Sequence, residues 1–170
     1  MPVFESQFRF VFKNNCINWY WMKRGAVNDL QLPMSATINS HRFSTFGNAD
    51  YNISGKWAVS FSGKLSSRKS VGEFEAKGNL LTGTFLNATG DYRYLEGVVS
   101  NDSLWLSSFD GEHAFLFKAG IENDCTISGG FFYSGAKGKQ EWTAINDSTA
   151  MVPKDDVAIF LKPGEQSLDF

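Results

Sequence analysis

The segment from Leu80 to Phe117 constrains the fold more than any other part of the chain, because it contains apolar runs separated by turn residues. The breaks NATGD, SND and DGE supply side chains that tolerate left-handed backbone or cap their own turns. Successive side chains of a strand point to opposite faces, so Leu81, Gly83 and Phe85 share one face. The segment therefore predicts an antiparallel β-meander.

Alternation of the same kind occurs before the meander. Phe8, Phe10 and Phe12 alternate with Arg9 and Val11, and the run INWYWM at 17–22 carries large apolar side chains on both of its faces. Nine residues from 30 to 38 also alternate, with a proline at 33 that indicates an edge strand or a bulge because it lacks an N–H. Sixteen phenylalanines suit pleated sheets better than helices. We predict an all-β chain with little helix.

A five-residue pattern with a central glycine recurs as ISGKW, LTGTF, LEGVV and ISGGF. Glycine inside a strand often marks a bend, a bulge or the close approach of another backbone. The pattern predicts coiled strands in a curved, closing sheet. A longer repeat is also present, because 17–38 and 127–145 both have the order strand, glycine-containing loop, strand. We therefore predict one domain over residues 1–150, with two similar halves at 8–45 and 53–147. Residues 151–170 are expected to form a tail or linker.

Charge and cysteine usage argue against several classes of function. Sixteen basic and eighteen acidic residues give a net charge of -2, which does not attract nucleic acid or an anionic membrane. The longest apolar runs are far below the ~20 residues of a membrane helix, and the first residues lack a signal-peptide pattern. Neither Cys16 and Cys125 nor His41 and His113 have metal-ligand spacing. We expect no metal, no cofactor and no membrane span in this chain.

One candidate site is a polar cluster in the meander. Arg93 and His113 share strand faces with apolar residues, so a charge on either side chain needs a partner. Asp91 and Asp110 lie in nearby turns, and a pair between Arg93 and Asp110 would connect two adjacent strands. We interpret the cluster as structural. A ligand site is the alternative, and it would need an adjoining cavity.

A second candidate is a contact surface of aromatic residues. The segments INWYWM and GGFFY both carry aromatic side chains on the two faces of a predicted strand, and an outward aromatic face usually marks a binding surface. Alternatively, loops and the tail cover both faces within the domain. The residues of this predicted surface are Trp19, Tyr20, Trp21, Phe132 and Tyr133.

The run GTFLNATGDYRYLEGVV, followed by LWLSSFDGEHAFLFKA, GGFFYSG and EWTA, resembles the β-rich N-terminal region of TlpA-like thiol-disulfide oxidoreductases of Bacteroidetes. The similarity extends from about Ile17 to LKPGEQSLDF, which in that family leads into a thioredoxin domain with a C-x-x-C motif. The resemblance implies a lipocalin-like β-barrel or a two-sheet sandwich, which agrees with the predicted closing sheet. It further implies a periplasmic or envelope-associated protein. It also implies a non-catalytic accessory role, in which the chain positions partners or substrates for the thioredoxin-like domain of the same protein. The redox cysteines of the family would lie beyond Phe170, so no catalytic residue is carried over.

Two other functions stay open at this point. A lipocalin-like barrel could bind a small apolar ligand, although sixteen phenylalanines would equally fill its interior. A glycosidase would need paired carboxylates from among Asp91, Glu96, Asp110 and Glu112. These residues lie mostly in turns, where Asp is favoured for backbone reasons. We therefore expect that this chain alone is not an enzyme.

Overall fold

The computed structural model describes residues 6–24, 28–38, 43–45, 47–62, 68–88, 90–92, 94–110, 113–134 and 139–152. All regular secondary structure within these residues is β-strand, so the predicted all-β class is confirmed. The strands are β1 (Ser6–Lys13), β2 (Cys16–Lys23), β3 (Leu30–Thr37), β4 (Gly55–Phe61), β5 (Arg68–Lys77), β6 (Leu80–Asn87), β7 (Gly90–Asp91), β8 (Leu95–Ser100), β9 (Ser103–Phe109), β10 (Ala114–Asn123), β11 (Thr126–Ser134) and β12 (Lys139–Asn146).

Eight of these strands close into an antiparallel barrel. They follow one another around the barrel in chain order, from β4 through β5, β6, β8, β9, β10 and β11 to β12. The barrel closes where β12 pairs with β4 and Trp142 lies opposite Phe61. The short strand β7 pairs with the end of β6. The predicted barrel is thus confirmed as an up-and-down barrel, and the sandwich alternative is not formed.

The barrel strands turn alternate side chains into the interior, as the alternation predicts. Along β4, Trp57, Val59 and Phe61 point inward and are at most 4% exposed. Residues directly opposite each other on paired strands share a face. Trp57 therefore lies in one interior row with Gly72 and Phe85, and this alternation of large and small side chains lets the rows interlock.

Two kinds of glycine position explain the recurring pattern. A Cβ on Gly83 or Gly97 would overlap the backbone carbonyl oxygen of a neighbouring strand, at Glu73 or Trp105 respectively. Gly129 has a φ of +57° and lies in an irregular stretch of the β11–β12 pairing, between Ile127 and Gly130. The predicted roles of these glycines, close backbone approach and a bulge, are confirmed.

Aromatic rings fill the interior of the barrel. The ring of Phe117 lies 4.6 Å from that of Phe85 and 4.5 Å from that of Phe132, and Phe85 lies 5.3 Å from Trp142. All four side chains are buried. An eight-stranded barrel is just wide enough for its own side chains to fill it, and this barrel follows that rule.

One end of the barrel is covered by the segment 47–54, which leads into β4. Ile53 is fully buried, and its carbonyl oxygen accepts a hydrogen bond from Trp57 Nε1 at 2.9 Å. Ala49 forms an isolated bridge with Asn101, which lies in the turn between β8 and β9. Asn79 Nδ2 donates to the carbonyl oxygens of Gly47 and Val99. These contacts fix the segment across the end of the barrel.

Strands β1 to β3 form a separate sheet in the order β1-β2-β3. Pro33 lies on the edge strand β3, which confirms the prediction that its strand is near an edge. The expectation of two similar halves is wrong, because 8–45 contributes an open three-stranded sheet whereas the closed barrel lies within 55–146. Local hairpin patterns repeat between these segments, but barrel closure depends on the distant pairing of β4 with β12. Of the predicted tail, residues 153–170 lie outside the described residues.

Candidate functional site

The three-stranded sheet has one apolar face and one mainly polar face. The pairing register places residues with the same orientation opposite each other, for example Phe10 opposite Trp19 and Trp19 opposite Met34. The opposite face carries polar and charged residues such as Arg9, Lys13 and Asn18. We call the apolar side the apolar face; it consists of Phe8, Phe10, Phe12, Ile17, Trp19, Trp21, Leu30, Leu32, Met34 and Ala36.

Much of the apolar face is accessible to solvent. Phe8, Phe10 and Phe12 are 47%, 57% and 67% exposed, and Leu30 and Met34 are also exposed. The three phenylalanines alone leave roughly 340 Å² of side-chain surface in water, since an aromatic side chain presents about 200 Å². The largest apolar patch on a typical monomer is about 300–600 Å² and is often functional. The exposed area of these three phenylalanines alone therefore falls within this range.

Phe109, the last residue of β9, connects the apolar face to the barrel. Its ring packs edge-to-face against Phe8 at 5.7 Å and against Trp21 at 5.4 Å. Trp21 is only 7% exposed as a result, whereas Phe10 and Phe12 pack on each other at 5.6 Å and remain open. One end of the apolar face is therefore anchored, and the Phe10 and Phe12 end is free in the described part of the chain.

The predicted aromatic contact surface does not form as a unit. Trp19 and Trp21 lie on the apolar face, but Tyr20 lies on the opposite face of the same sheet. Phe132 points into the barrel and is 6% exposed, so its assignment to a contact surface is wrong. Tyr133 lies half-buried on the outside of the barrel, away from that row. The irregular pairing at 127–130 decides which residues of GGFFY point inward, and alternation alone does not show this.

Sequence reasoning missed the phenylalanines of β1 as surface residues. The signal was present in the run FRFVF, in which three phenylalanines alternate with Arg9 and Val11. The same surface also includes Met34 on β3. A surface groove of about 250 Å³ lies nearby, over β2 and β3, and it is lined by Asn18, Trp19, Tyr20, Pro33, Met34 and Ser35.

The predicted polar cluster is described only in part. Arg93 lies outside the described residues, and so does the side chain of Asp91, whose backbone belongs to β7. Asp110 and His113 meet at the rim of the barrel, with Asp110 Oδ2 3.1 Å from His113 Nδ1. Asp110 Oδ1 also accepts the backbone N–H of His113 at 2.6 Å. These contacts close the loop between β9 and β10, which is consistent with the structural interpretation of this pair.

Two polar atoms inside the barrel have no hydrogen-bond partner among the described residues. They are Ser70 Oγ on β5 and Trp142 Nε1 on β12. Both residues face the interior, where Ser70 lies opposite Val59 and Trp142 lies opposite Phe61. An unpaired buried polar atom costs about 1–3 kcal/mol. Both atoms could therefore form a hydrogen bond with a polar group of a ligand.

A second, shallower groove of about 430 Å³ crosses the outside of β4, β5 and β6. Its charged residues are already paired, since Lys56 Nζ lies 3.6 Å from Glu73 Oε1. Beside it, Lys77 Nζ donates to Glu75 at 2.8 Å, and this hydrogen bond raises the pKa of Lys77. The groove is lined by Gly55, Lys56, Glu73, Phe74, Glu75, Thr82 and Gly83.

The described residues contain no group of three or more His, Cys, Asp or Glu side chains placed to hold a metal ion. Cys16 and Cys125 are free thiols, one half-buried and the other exposed. Among the residues that the structure describes, no helix is long and apolar enough to cross a bilayer. Family models, curated proteins and solved structures yield no match to this chain.

Proposed function

We propose that this chain is a non-catalytic accessory domain that holds a protein partner against the apolar face of β1–β3. The observation that supports this proposal is the exposure of Phe8, Phe10, Phe12 and Met34 on one side of an otherwise regular sheet. A large exposed apolar patch on a protein domain usually marks a binding surface. The filled barrel acts as a rigid support, to which Phe109 anchors the sheet.

The composition of the face suits a protein partner. The cores of protein interfaces are enriched in Phe, Trp and Met and depleted in charge, and the surrounding rim is polar. Trp19 and Phe10 lie side by side near the centre of the face, while Arg9 and Lys13 lie on the other side of β1. Large aromatic residues at the centre of a patch are the usual energetic anchors of an interface.

The resemblance to TlpA-like proteins supports the choice of partner, which we propose to be a thioredoxin-like domain. The same resemblance supports a periplasmic or envelope location. In this proposal the partner performs the thiol-disulfide exchange, and this chain positions it or its substrates. The cysteines of this chain take no part, because each of them lies in a separate hairpin without a second thiol beside it.

The partner is tested by titrating the isotopically labelled chain with a purified TlpA-like thioredoxin domain and recording amide chemical shifts. We expect changes confined to β1, β2 and β3. Met34→Lys places a charge on the apolar face and should weaken binding at least tenfold. Ser35→Lys adds the same charge to the neighbouring residue on the opposite face and should leave binding unchanged. Equal effects of the two variants, or shifts confined to the barrel, would contradict the proposal.

The non-catalytic role is tested separately, with insulin reduction by the chain alone. A reactive thiol pair needs two neighbouring cysteines with one activated thiolate. Since Cys16 and Cys125 are free and unpaired, we expect no turnover above the no-protein control. Reduction that exceeds this control and disappears in the Cys16→Ser variant would overturn the assignment.

Binding of a small apolar ligand inside the barrel is the second candidate, and one observation favours it. Ser70 Oγ and Trp142 Nε1 are buried and unpaired in the described interior, so a ligand with a polar group could satisfy them. The ring cluster around Phe117 opposes this function, because the same space is occupied by side chains. Titration with a long-chain fatty acid, monitored by tryptophan fluorescence, distinguishes the ligand-carrier function from the accessory function. Saturable binding that depends on Ser70 would favour the ligand-carrier function.

A further inference from the structure

The outer edge of β1 is open in the described part of the chain. β1 pairs with β2 over its whole length, and no other described strand lies on its far side. A two-residue turn at 14–15 joins the strands, so Lys13 and Cys16 form the hydrogen-bonded pair that closes the hairpin. Hydrogen-bonded pairs alternate along an antiparallel ladder. From Phe8 onward, the backbone N–H and C=O groups that point away from β2 therefore belong to Phe8, Phe10 and Phe12.

The other edge of the sheet is protected. By the same alternation, Pro33, which pairs with Tyr20, has its ring nitrogen on the outer side of β3. A proline at this position removes a donor in the middle of the edge, which is a common way in which sheets avoid pairing with other chains. β1 has no proline, and its charged residues Arg9 and Lys13 lie on the mainly polar face. Strand addition is therefore favoured at β1 and disfavoured at β3.

We propose that β1 pairs with β1 of a second copy of this chain, antiparallel and about a twofold axis through Phe10. The two three-stranded sheets then form one sheet of six strands. The outward groups of Phe8, Phe10 and Phe12 in both copies form about six backbone hydrogen bonds. The contact is isologous, since the same residues serve both partners, and it closes at two subunits.

Charge disfavours the two registers whose axis is shifted by one residue from this one. With the axis through Phe10, Arg9 lies opposite Val11 of the second copy, and Lys13 lies opposite Gln7. A shift of the axis to Arg9 would place the two arginines opposite each other, and a shift to Val11 would place Arg9 opposite Lys13. Like charges directly opposite each other destabilise a strand pair. The register through Phe10 also sets Phe8 of each copy opposite Phe12 of the other, so aromatic side chains face each other along the whole contact.

This proposal does not depend on the proposed function. Edge pairing adds strands in the plane of the sheet, so the apolar face is not consumed; it becomes a surface twice as wide on one side of the dimer. Either copy can still present Trp19 and Met34 to a partner. A dimer that buried the two apolar faces against each other would be a different arrangement. Phe10→Lys and Met34→Lys distinguish it from edge pairing, because only one of them changes the edge at β1.

The test is the mass of the purified chain in solution, measured by light scattering over a hundredfold range of concentration. We expect a reversible shift from the 19.0 kDa chain to twice that mass. Phe10→Lys sets two lysines opposite each other on the twofold axis and should keep the chain monomeric at all concentrations. Met34→Lys is the matched control, with the same charge on the same face but at the protected edge, and it should leave the dimer intact.

Amide hydrogen exchange provides the second measurement. In the dimer, the amides of Phe8, Phe10 and Phe12 should exchange at least tenfold more slowly than on dilution or in Phe10→Lys, while barrel amides stay unchanged. A chain that is monomeric throughout the range overturns the proposal, as does a dimer that survives Phe10→Lys. A dimer disrupted equally by Met34→Lys would indicate face-to-face packing and also overturns it. Slow exchange of these amides in a monomer would mean that another segment of the chain covers the edge, which excludes the second copy.

Discussion

Neighbouring leucines at the start of β6 provide a matched test of the barrel. Leu81 is fully buried and points into the interior, whereas Leu80 is 56% exposed and points outward. The two residues belong to the same strand, and replacement by alanine removes the same atoms from each. The difference in the free energy of unfolding between Leu81→Ala and Leu80→Ala therefore reports which face of β6 is the core face.

The expected magnitudes follow from burial. Truncation of a fully buried leucine typically costs about 2–5 kcal/mol, since the lost transfer free energy is joined by the cost of the cavity. Leu81 lies opposite Gly97 on β8 and Ala76 on β5, and both are too small to refill the space. We therefore expect about 3–4 kcal/mol for Leu81→Ala. Leu80 has less than half of its surface buried, so we expect Leu80→Ala to cost below about 1 kcal/mol.

The assay is urea unfolding followed by tryptophan fluorescence, because Trp57 and Trp142 lie in the barrel core and report its loss. We expect the transition midpoint of Leu81→Ala to fall well below that of Leu80→Ala, with the same slope for both. Equal losses, or a larger loss for Leu80→Ala, would mean that the register of β6 is displaced by one residue. Such a shift would turn every side chain of that strand to the other face.

Three further outcomes test individual contacts. Ser70→Ala removes a buried hydroxyl that has no partner among the described residues, so stability should stay equal or rise by about 1 kcal/mol in urea unfolding; a loss of that size would reveal a hydrogen bond. Gly97→Ala places a methyl group against the carbonyl oxygen of Trp105 and should cost about 3 kcal/mol, and an unchanged midpoint would refute the close approach. The side-chain and backbone hydrogen bonds from Thr149 lower the pKa of Asp147, so its stabilisation is complete above about pH 4 and is lost as the pH falls through the lowered value. Asp147→Asn should therefore lower the melting temperature at neutral pH by an amount that shrinks as the pH falls below about 4, and a difference that does not change with pH would count against this cause.

The barrel strands could be predicted from the sequence because each of them has one buried face. Alternation at Trp57, Val59 and Phe61, and again at Leu81 and Phe85, is enough to assign which side chains point inward. The recurring glycines were also informative, since a strand that approaches a neighbouring backbone closely has no room for a Cβ. These signals are local, so they can be read without knowledge of the partner strands.

The division of the strands between two sheets could not be predicted in the same way. Whether β4 pairs with β3 or with β12 depends on contacts between residues almost ninety positions apart, such as Trp57 and Asn146. Patterns of hairpins are the same in both cases. The orientation of Phe131, Phe132 and Tyr133 was equally hidden, because all three are aromatic and the irregular pairing before them shifts the alternation.

Phe109 links the barrel to the three-stranded sheet in the described part of the chain. Its ring makes edge-to-face contacts with Phe8 and Trp21, and each such pair contributes about 0.5–1.5 kcal/mol beyond area burial. Because Phe109→Ala removes both of these contacts, it should destabilise β1–β3 locally by about 1–3 kcal/mol.

In hydrogen exchange, this local loss would appear as roughly 5- to 160-fold faster exchange of the β2 amides, while barrel amides keep their rates. Phe131→Ala is the control, since Phe131 lies half-buried on the outside of β11 beneath Lys139 and should leave the three-stranded sheet unchanged. If β2 exchanges at the same rate in Phe109→Ala as in the unmodified chain, the sheet does not depend on this contact. The apolar face would then be held in place by something other than the barrel.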